Sequence, residues 1–138
     1  MQFKDNSAAC KEALRQAQKA MLYEIGELIY SAIFPLIPTD TTALKTSLGY
    51  KVNEAEMSVT IGVNTEYAVW VEFGTGIYAE NGQGRKGGWA YKDEDGKTIF
   101  TMGMRAQPYM RPGYKSVKKQ IEKRCQEILG QKFKVRKV

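Results

Sequence analysis

One carboxylate stands where charge is expensive. Glu72 lies inside Val69-Trp70-Val71-Glu72-Phe73-Gly74-Thr75-Gly76, an apolar run in which an acid must be partly buried. A buried charge persists only when a cation or hydrogen-bond donors meet it. A partner is therefore expected, and Arg105 or Arg111 can supply it. The expected role is a structural ion pair, not proton transfer. Glu24 and Glu27 fall on what reads as a helix face, where acids are far more often solvated than catalytic. The sequence contains no histidine, which removes the commonest general base and metal ligand. No Ser–His or Cys–His nucleophile can be assembled, and the usual zinc ligand sets are incomplete. Cys10 and Cys125 sit near opposite ends with no CxxC, the pattern of two reduced thiols made in a cytosol. No catalytic residue, cofactor or metal site is expected, and the chain does not read as an enzyme.

Two further patterns invite a chemical reading. Gly82-Gln83-Gly84-Arg85-Lys86-Gly87 matches G-x-G-x-x-G, but a dinucleotide site needs those glycines between a strand and the start of a helix. Here they sit in a loop that leads into Trp89 and a strand. The charge is also uneven. Residues 111–138 hold ten Lys/Arg against two Glu, whereas the first 110 hold eleven against thirteen acids. The overall charge of +6 thus belongs to the C-terminal end, where Lys132, Lys134, Arg136 and Lys137 form a basic arm. A solvated lysine run is the ordinary fate of such a segment, and contact with DNA phosphates or a neighbouring subunit is the sharper one. Only Phe133 interleaves the arm, so base stacking is not expected.

These groups must be carried by regular elements. At 138 residues the chain reads as one domain, 1–138, long enough for a core without staples. Segment 1–34 carries a long helix over 8–34, with Ala13, Ala17, Met21, Ile25, Leu28 and Ala32 along one stripe. Pro35 ends it. At 1.5 Å per residue the helix is about 40 Å long, longer than a compact domain of this size is wide, so its polar first half should overhang. Pro38 to Thr42 reads as a turn into a short helix near 43–47, capped by Asp40 or a neighbouring threonine. Alternation of Leu48, Tyr50, Val52 and then Met57, Val59, Ile61, Val63 with polar or small residues predicts an antiparallel hairpin over 48–63.

A short helix is expected over 65–73, although its β-branched and aromatic content leaves a strand open. Six glycines in residues 74–88 predict a flexible loop, including Gly82, Gly84, Arg85 and Lys86. A second hairpin follows over 89–102, turning through Asp93 to Gly96. Pro112 opens a C-terminal helix, 112–130, with Tyr114, Val117, Ile121, Cys125 and Ile128 facing inward. The basic arm occupies 131–138. The expected class is α+β: an antiparallel four-stranded sheet of two hairpins packed against a long N-terminal helix and a C-terminal helix. The first residues lack the apolar core of a secretion signal, and no segment is apolar enough to suggest a membrane span.

Three segments together resemble a known family. Pro38-Thr39-Asp40-Thr41-Thr42-Ala43-Leu44-Lys45-Thr46-Ser47-Leu48 resembles the P-x-D-T-G-x-L-R-x-S-I stretch of the phage tail-completion, neck or minor tail component family of lambdoid and related siphophages. Residues 64–76, with Tyr67, Ala68, Glu72, Phe73, Gly74 and Thr75, resemble its Y-A-x-Y-V-E-F-G-T signature. Residues 106–112, with Pro108, Tyr109, Arg111 and Pro112, resemble A-x-P-F-L-R-P-A, whose last position falls on Gly113. Thr42 replaces a glycine of the pattern, Leu48 an isoleucine, Tyr109 a phenylalanine and Gly113 an alanine. The resemblance implies a virion protein, made in the host cytoplasm, that acts by assembling through these motif residues. Its implied partners are further copies of itself in a sixfold or twelvefold ring around the DNA channel, and an adjoining connector, tail terminator or tail-tube protein. No membrane partner is implied. Two alternatives stay open: a small basic nucleic-acid-binding module, and an assembly chaperone or adaptor that forms no ring.

Overall fold

The computed structural model describes residues 5–39 and 42–132. Helix α1, Ser7–Ile33, begins where the Asp5 carboxylate accepts the Ser7 amide. It passes through a single 3-10 turn at Phe34–Leu36 that accommodates Pro35. Its buried residues are Leu22, Ile25, Gly26, Ile29 and Ile33, spaced by three and four as a core-facing stripe requires. The expected stripe shares Ile25 with this one, and Met21, Leu28 and Ala32 flank the buried line as half-buried residues. Ala13 is exposed. No residue between Ser7 and Met21 is buried, so the first half of the helix contributes little to the core.

Helix α2, Thr42–Ser47, drops Leu44 fully into the core. Asp40 and Thr41, two of its expected caps, lie outside the described residues. Strands β1, Gly49–Asn53, and β2, Ser58–Gly62, form the first antiparallel hairpin. Tyr50, Val52, Val59 and Ile61 share one face, and this face packs across α1. Asn53 makes the turn by accepting the amides of Ala55 and Glu56 on its side-chain oxygen, and Met57 follows with φ of 51°. The turn therefore takes in Met57, which the alternation had assigned to the second strand. The contact with α1 is tight: a Cβ on Gly26 would run into the Tyr50 ring, and the Tyr50 hydroxyl donates to Glu27 at 2.8 Å.

Helix α3, Ala68–Phe73, is short. Strands β3, Trp89–Lys92, and β4, Thr98–Thr101, form the second hairpin. The four strands do not merge into one sheet; they remain two separate two-stranded sheets. The reason lies in where the backbone after β4 pairs. Met104 and Met102 give their carbonyls to the amides of Thr75 and Ile77, in the loop after α3, not to the first hairpin. The second hairpin accordingly has no packing against either long helix comparable with that of the first.

Helix α4, Met110–Lys132, lies against α1 in the most extensive contact between elements. Gly113 abuts Ile33 and Arg124 pairs with Glu24 at 2.7 Å, so the two helices run antiparallel. Val117 is buried and Ile121, Cys125 and Ile128 are half-buried as the spacing predicts, but Tyr114 is exposed. Gly113 takes the inward position instead. The helix includes Gln131 and Lys132, the first two residues of the expected arm. Lys134, Arg136 and Lys137 lie outside the described residues. Both cysteines are free, Cys10 exposed and Cys125 half-buried. None of the described helices is long and apolar enough to cross a membrane.

Gly113 makes the α1–α4 approach a sensitive point. A Cβ there would lie 2.5 Å from Ile33 Cγ1 and 3.0 Å from Ile33 Cα, and Ile33 is only 1% exposed. Alanine gains about 1 kcal/mol of helix propensity over glycine, while overpacking a tight core costs about 1–3 kcal/mol. Because the obstructing residue is buried and part of the clash is with backbone, the packing cost should win. Gly113→Ala is expected to lower stability by about 1 kcal/mol in urea denaturation; an unchanged or raised midpoint would show that the helices can separate freely.

Candidate functional site

The two signature segments, residues 64–76 and 106–112, meet at the start of α4. An α-helix begins with amides that have no intrahelical acceptor. Here the amides of Tyr109 and Met110 donate to Glu72 Oε2 at 2.7 and 2.9 Å, and that of Arg111 donates to Glu72 Oε1 at 3.2 Å. The next residue, Pro112, has no amide hydrogen to satisfy. The first intrahelical bond follows at once, from the Gly113 amide to the Tyr109 carbonyl. One carboxylate from α3 and one proline thus account for every orphan donor of this helix end. A negative charge there also complements the helix dipole.

Arg111 completes the clamp. Its Nε donates to Glu72 Oε1 at 2.8 Å, and its two terminal nitrogens grip Glu80 at 3.0 and 2.9 Å. The guanidinium also lies 4.5 Å from the centre of the Phe73 ring. Of the two arginines proposed from sequence, Arg111 is the partner of Glu72; Arg105 instead stacks over Tyr78 at 5.0 Å. Burial pushes the Glu72 carboxyl up, but Arg111 and the three amides together outweigh it and hold the group below its ordinary value of 4.5. Glu80 is held low chiefly by its bonds to Arg111, and Arg111 is raised by Glu80 and then by Glu72. A carboxylate offers about four lone-pair positions, and four donors occupy those of Glu72. No position is left to hold a substrate proton, so the geometry serves architecture.

The rest of both motifs braces the same point. Tyr109, 1% exposed, donates its hydroxyl to the Ala68 carbonyl at 3.2 Å, and burial followed by the Glu72 charge raises its phenol. The Gln107 amide donates to the Val71 carbonyl, tying the C-terminal half of α3, which the Gly74 amide closes on the Trp70 carbonyl. Gly74 is buried at φ of 77°, where a side chain would be strained and would strike the backbone of Tyr78 and Ala106. Thr75 receives the Met104 amide on its hydroxyl at 2.9 Å. Tyr67 is half-buried, while Pro108 and Pro112 are exposed. All ten motif residues therefore gather about α3 and the first turn of α4. In the glycine-rich loop Gly84 is pressed against the Gly76 carbonyl, Arg85 stacks on Trp89, and Lys86 donates to the Gly82 carbonyl. Strand β3 follows this segment, as the wrong context for a dinucleotide site had suggested.

Beside the exposed Arg111–Glu80 pair, the outward side of α3 and the turn after it is apolar. Val69 and Trp70 are 60% and 56% exposed, and Phe73, Ile77 and Tyr78 are exposed beside them. Trp70 forms a ridge between two open grooves. One, of about 480 Å³, is lined by Val69, Phe73, Gly74, Ala79, Glu80 and Asn81. The other, of about 370 Å³, runs between α3 and the second hairpin, past Tyr67, Trp89, Tyr91 and Met104. Large contiguous apolar surface on a soluble fold marks a binding face. Glu80 and Trp70 were absent from the residues singled out by sequence. Nothing about a glutamate in a glycine-rich loop announces its partner, whereas Trp70 sits within the signature and could have been found as an aromatic off the buried side of a short helix.

Glu72 yields a direct test. Removing one member of a buried pair costs about 3–5 kcal/mol, so Glu72→Ala is expected to lose about that much in urea denaturation. Glu72→Gln keeps one acceptor oxygen but turns a donor toward the amides, and should lose about 2 kcal/mol. Because the folded carboxyl titrates below 4.5, its contribution is complete above that pH and disappears as pH falls through the lower folded value. The stability gap between wild type and Glu72→Gln should therefore be full at neutral pH and shrink in the acid range. A gap independent of pH would mean that the charge does not matter.

A protein-family model described as "Bacteriophage HK97-gp10, putative tail-component" matches residues 2–74, which span α1, the first hairpin and the Glu72 side of the clamp. No curated protein and no solved structure matches the chain. The 106–112 segment lies beyond the matched span but is bonded to it through Glu72 and Val71. As a tail component the protein is a structural part of the virion and meets other phage structural proteins there. The chain belongs to the HK97-gp10-like family of bacteriophage tail components.

Proposed function

We propose that this chain is a neck or tail-completion subunit that works by assembling into a ring at the head–tail interface or tail top. One observation carries the reading: a rigid clamp, built from the two signature segments, holds an apolar face outward on α3 and the adjoining loop. Shape and docking, not turnover, are what such an arrangement supplies. Neighbours that pack head to tail close into a ring when their rotation allows it, and sixfold or twelvefold closure suits a channel that passes DNA. The partners proposed are further copies of the chain and an adjoining connector, tail terminator or tail-tube protein.

Two parts of the mechanism concern segments that we propose meet a partner. Residues 74–80 are tied to Phe73, Met102, Met104 and Arg111, so we confine the ordering step to residues 81–88, whose hydrogen bonds among the described residues are local. That segment orders against a partner on assembly. The basic arm, with Lys132, Lys134, Arg136 and Lys137, reaches a neighbour's acidic surface or channel DNA. A nucleic-acid module remains the competing reading, motivated by the isoelectric point near 9.3; it requires strong, salt-dependent DNA binding by the monomer.

Cryo-electron microscopy of the parent particle tests the ring directly, and a particle lacking this density at neck and tail top ends the proposal. Trp70 gives the finer check. Because it is half-exposed, Trp70→Ala should leave the melting midpoint nearly unchanged while weakening assembly by about 2 kcal/mol, the loss typical of an interface hot spot. Light scattering after size exclusion, with and without partner protein or DNA, reads this. Assembly indifferent to Trp70 would place the interface elsewhere. Hydrogen exchange across 81–88 should slow on assembly.

A further inference from the structure

We infer that the β3–β4 hairpin of one copy docks on the outward face of α4 in the next copy. This rests on the ring reading and names the two surfaces that meet. The hairpin is built to reach outward. It lacks extensive packing on the long helices, yet its form is fixed: Asp93 accepts the amides of Asp95 and Lys97, and Gly96 turns at φ of 78°. Phe100, 68% exposed, is the most exposed large apolar side chain among the described residues. It lies opposite Ala90, and its ring covers Gly88, where a Cβ would collide with it. Phe100 is therefore a large apolar ring with no cover. Beyond it, Glu94 and Asp95 are exposed at the tip between Lys92 and Lys97, and neither acid has an ion pair among the described residues; three acids against two lysines leave the turn with a net charge of −1.

The complementary surface is on α4. Lys115, Lys118, Lys119 and Lys123 are all exposed on the side away from Gly113 and Val117, with Glu122 the one acid among them. None of the four has an ion pair among the described residues; the cation of this helix that does pair with α1, Arg124, lies seven residues after Val117 on the packed side. Lysines four apart on a helix repel one another, so an acidic neighbour would relieve a cost that the isolated subunit carries. The donor surface differs from the acceptor surface, so the contact is heterologous and propagates from copy to copy. DNA phosphates could also neutralise these lysines, but they would leave Phe100 and the acidic tip uncovered. A second copy accounts for both.

Zero-length carbodiimide cross-linking of an equal mixture of unlabelled and isotope-labelled full-length protein tests the contact. Expected are mixed-isotope cross-links from Glu94 or Asp95 to Lys115, Lys118 or Lys119. Inter-copy cross-links confined to other surfaces would overturn this contact and leave the ring standing. A sample that stays monomeric at every concentration and with its partner protein would remove both. Protection of the lysines by added DNA, with the hairpin still free, would favour the nucleic-acid module. Charge reversal supplies a second readout. Glu94→Lys with Asp95→Lys, or Lys118→Glu with Lys119→Glu, should each weaken assembly about tenfold or more, and both pairs in one chain should recover most of that loss. Single reversals without effect would sink the contact.

Discussion

The start of α4 depends on a carboxylate 37 residues upstream, and that dependence organises much of the molecule. A local serine or aspartate cap satisfies one amide of its own helix. Glu72 satisfies three and takes the Arg111 side chain as well. Helix nucleation then becomes a tertiary event: the first turn of α4 is complete only when α3 is in place beside it. The cost of burying the carboxylate is met because all of its acceptor positions are used, which is the condition under which a buried charge is tolerated. Arg111 also reaches the loop through Glu80, so helix, loop and α3 form one bonded unit.

The dependence runs in both directions. A helix of six residues is far below the length that persists alone in water. Helix α3 stands because Gln107, Tyr109 and Gly74 occupy its carbonyls and because Ala68 and Val71 are buried in the core. Its outer side is then free to carry Val69, Trp70 and Phe73 in fixed positions. Side chains held still before binding lose less entropy on binding. A rigid apolar ridge is thus a consequence of the cap, and the assembly role proposed for it needs that rigidity.

Much of this was legible in the residues, and the limits of legibility have physical causes. Three-and-four spacing located α1 and α4, and period-two alternation located the first hairpin, because those signals are local. The need of Glu72 for a partner was legible from its apolar neighbours; the choice of Arg111 over Arg105 was not, since it depends on a contact 39 residues distant. The same cap explains why α4 starts at Met110, two residues before the proline that seemed to open it. Tyr114 fitted the apolar stripe by type, but the close approach of α1 leaves room only for Gly113. The separation of the two hairpins turns on backbone pairing between Thr75–Ile77 and Met102–Met104, which no side-chain pattern records.

Two parts of the fold have less support from within than their form requires. The first half of α1 has no fully buried residue, and a two-stranded hairpin is marginal by itself in water. The second hairpin draws its order from the pairing of residues 102–104 with the loop after α3, which returns to the clamp through Arg111 and Glu80. The first half of α1 draws its order from the half that packs on α4 and the first hairpin, down to the ion pair of Lys19 with Glu54. In both cases a rigid centre extends its geometry outward into segments that have few contacts of their own. Phe100 on the second hairpin and Trp70 on α3 stand exposed, apolar surface of the kind that an adjoining protein covers.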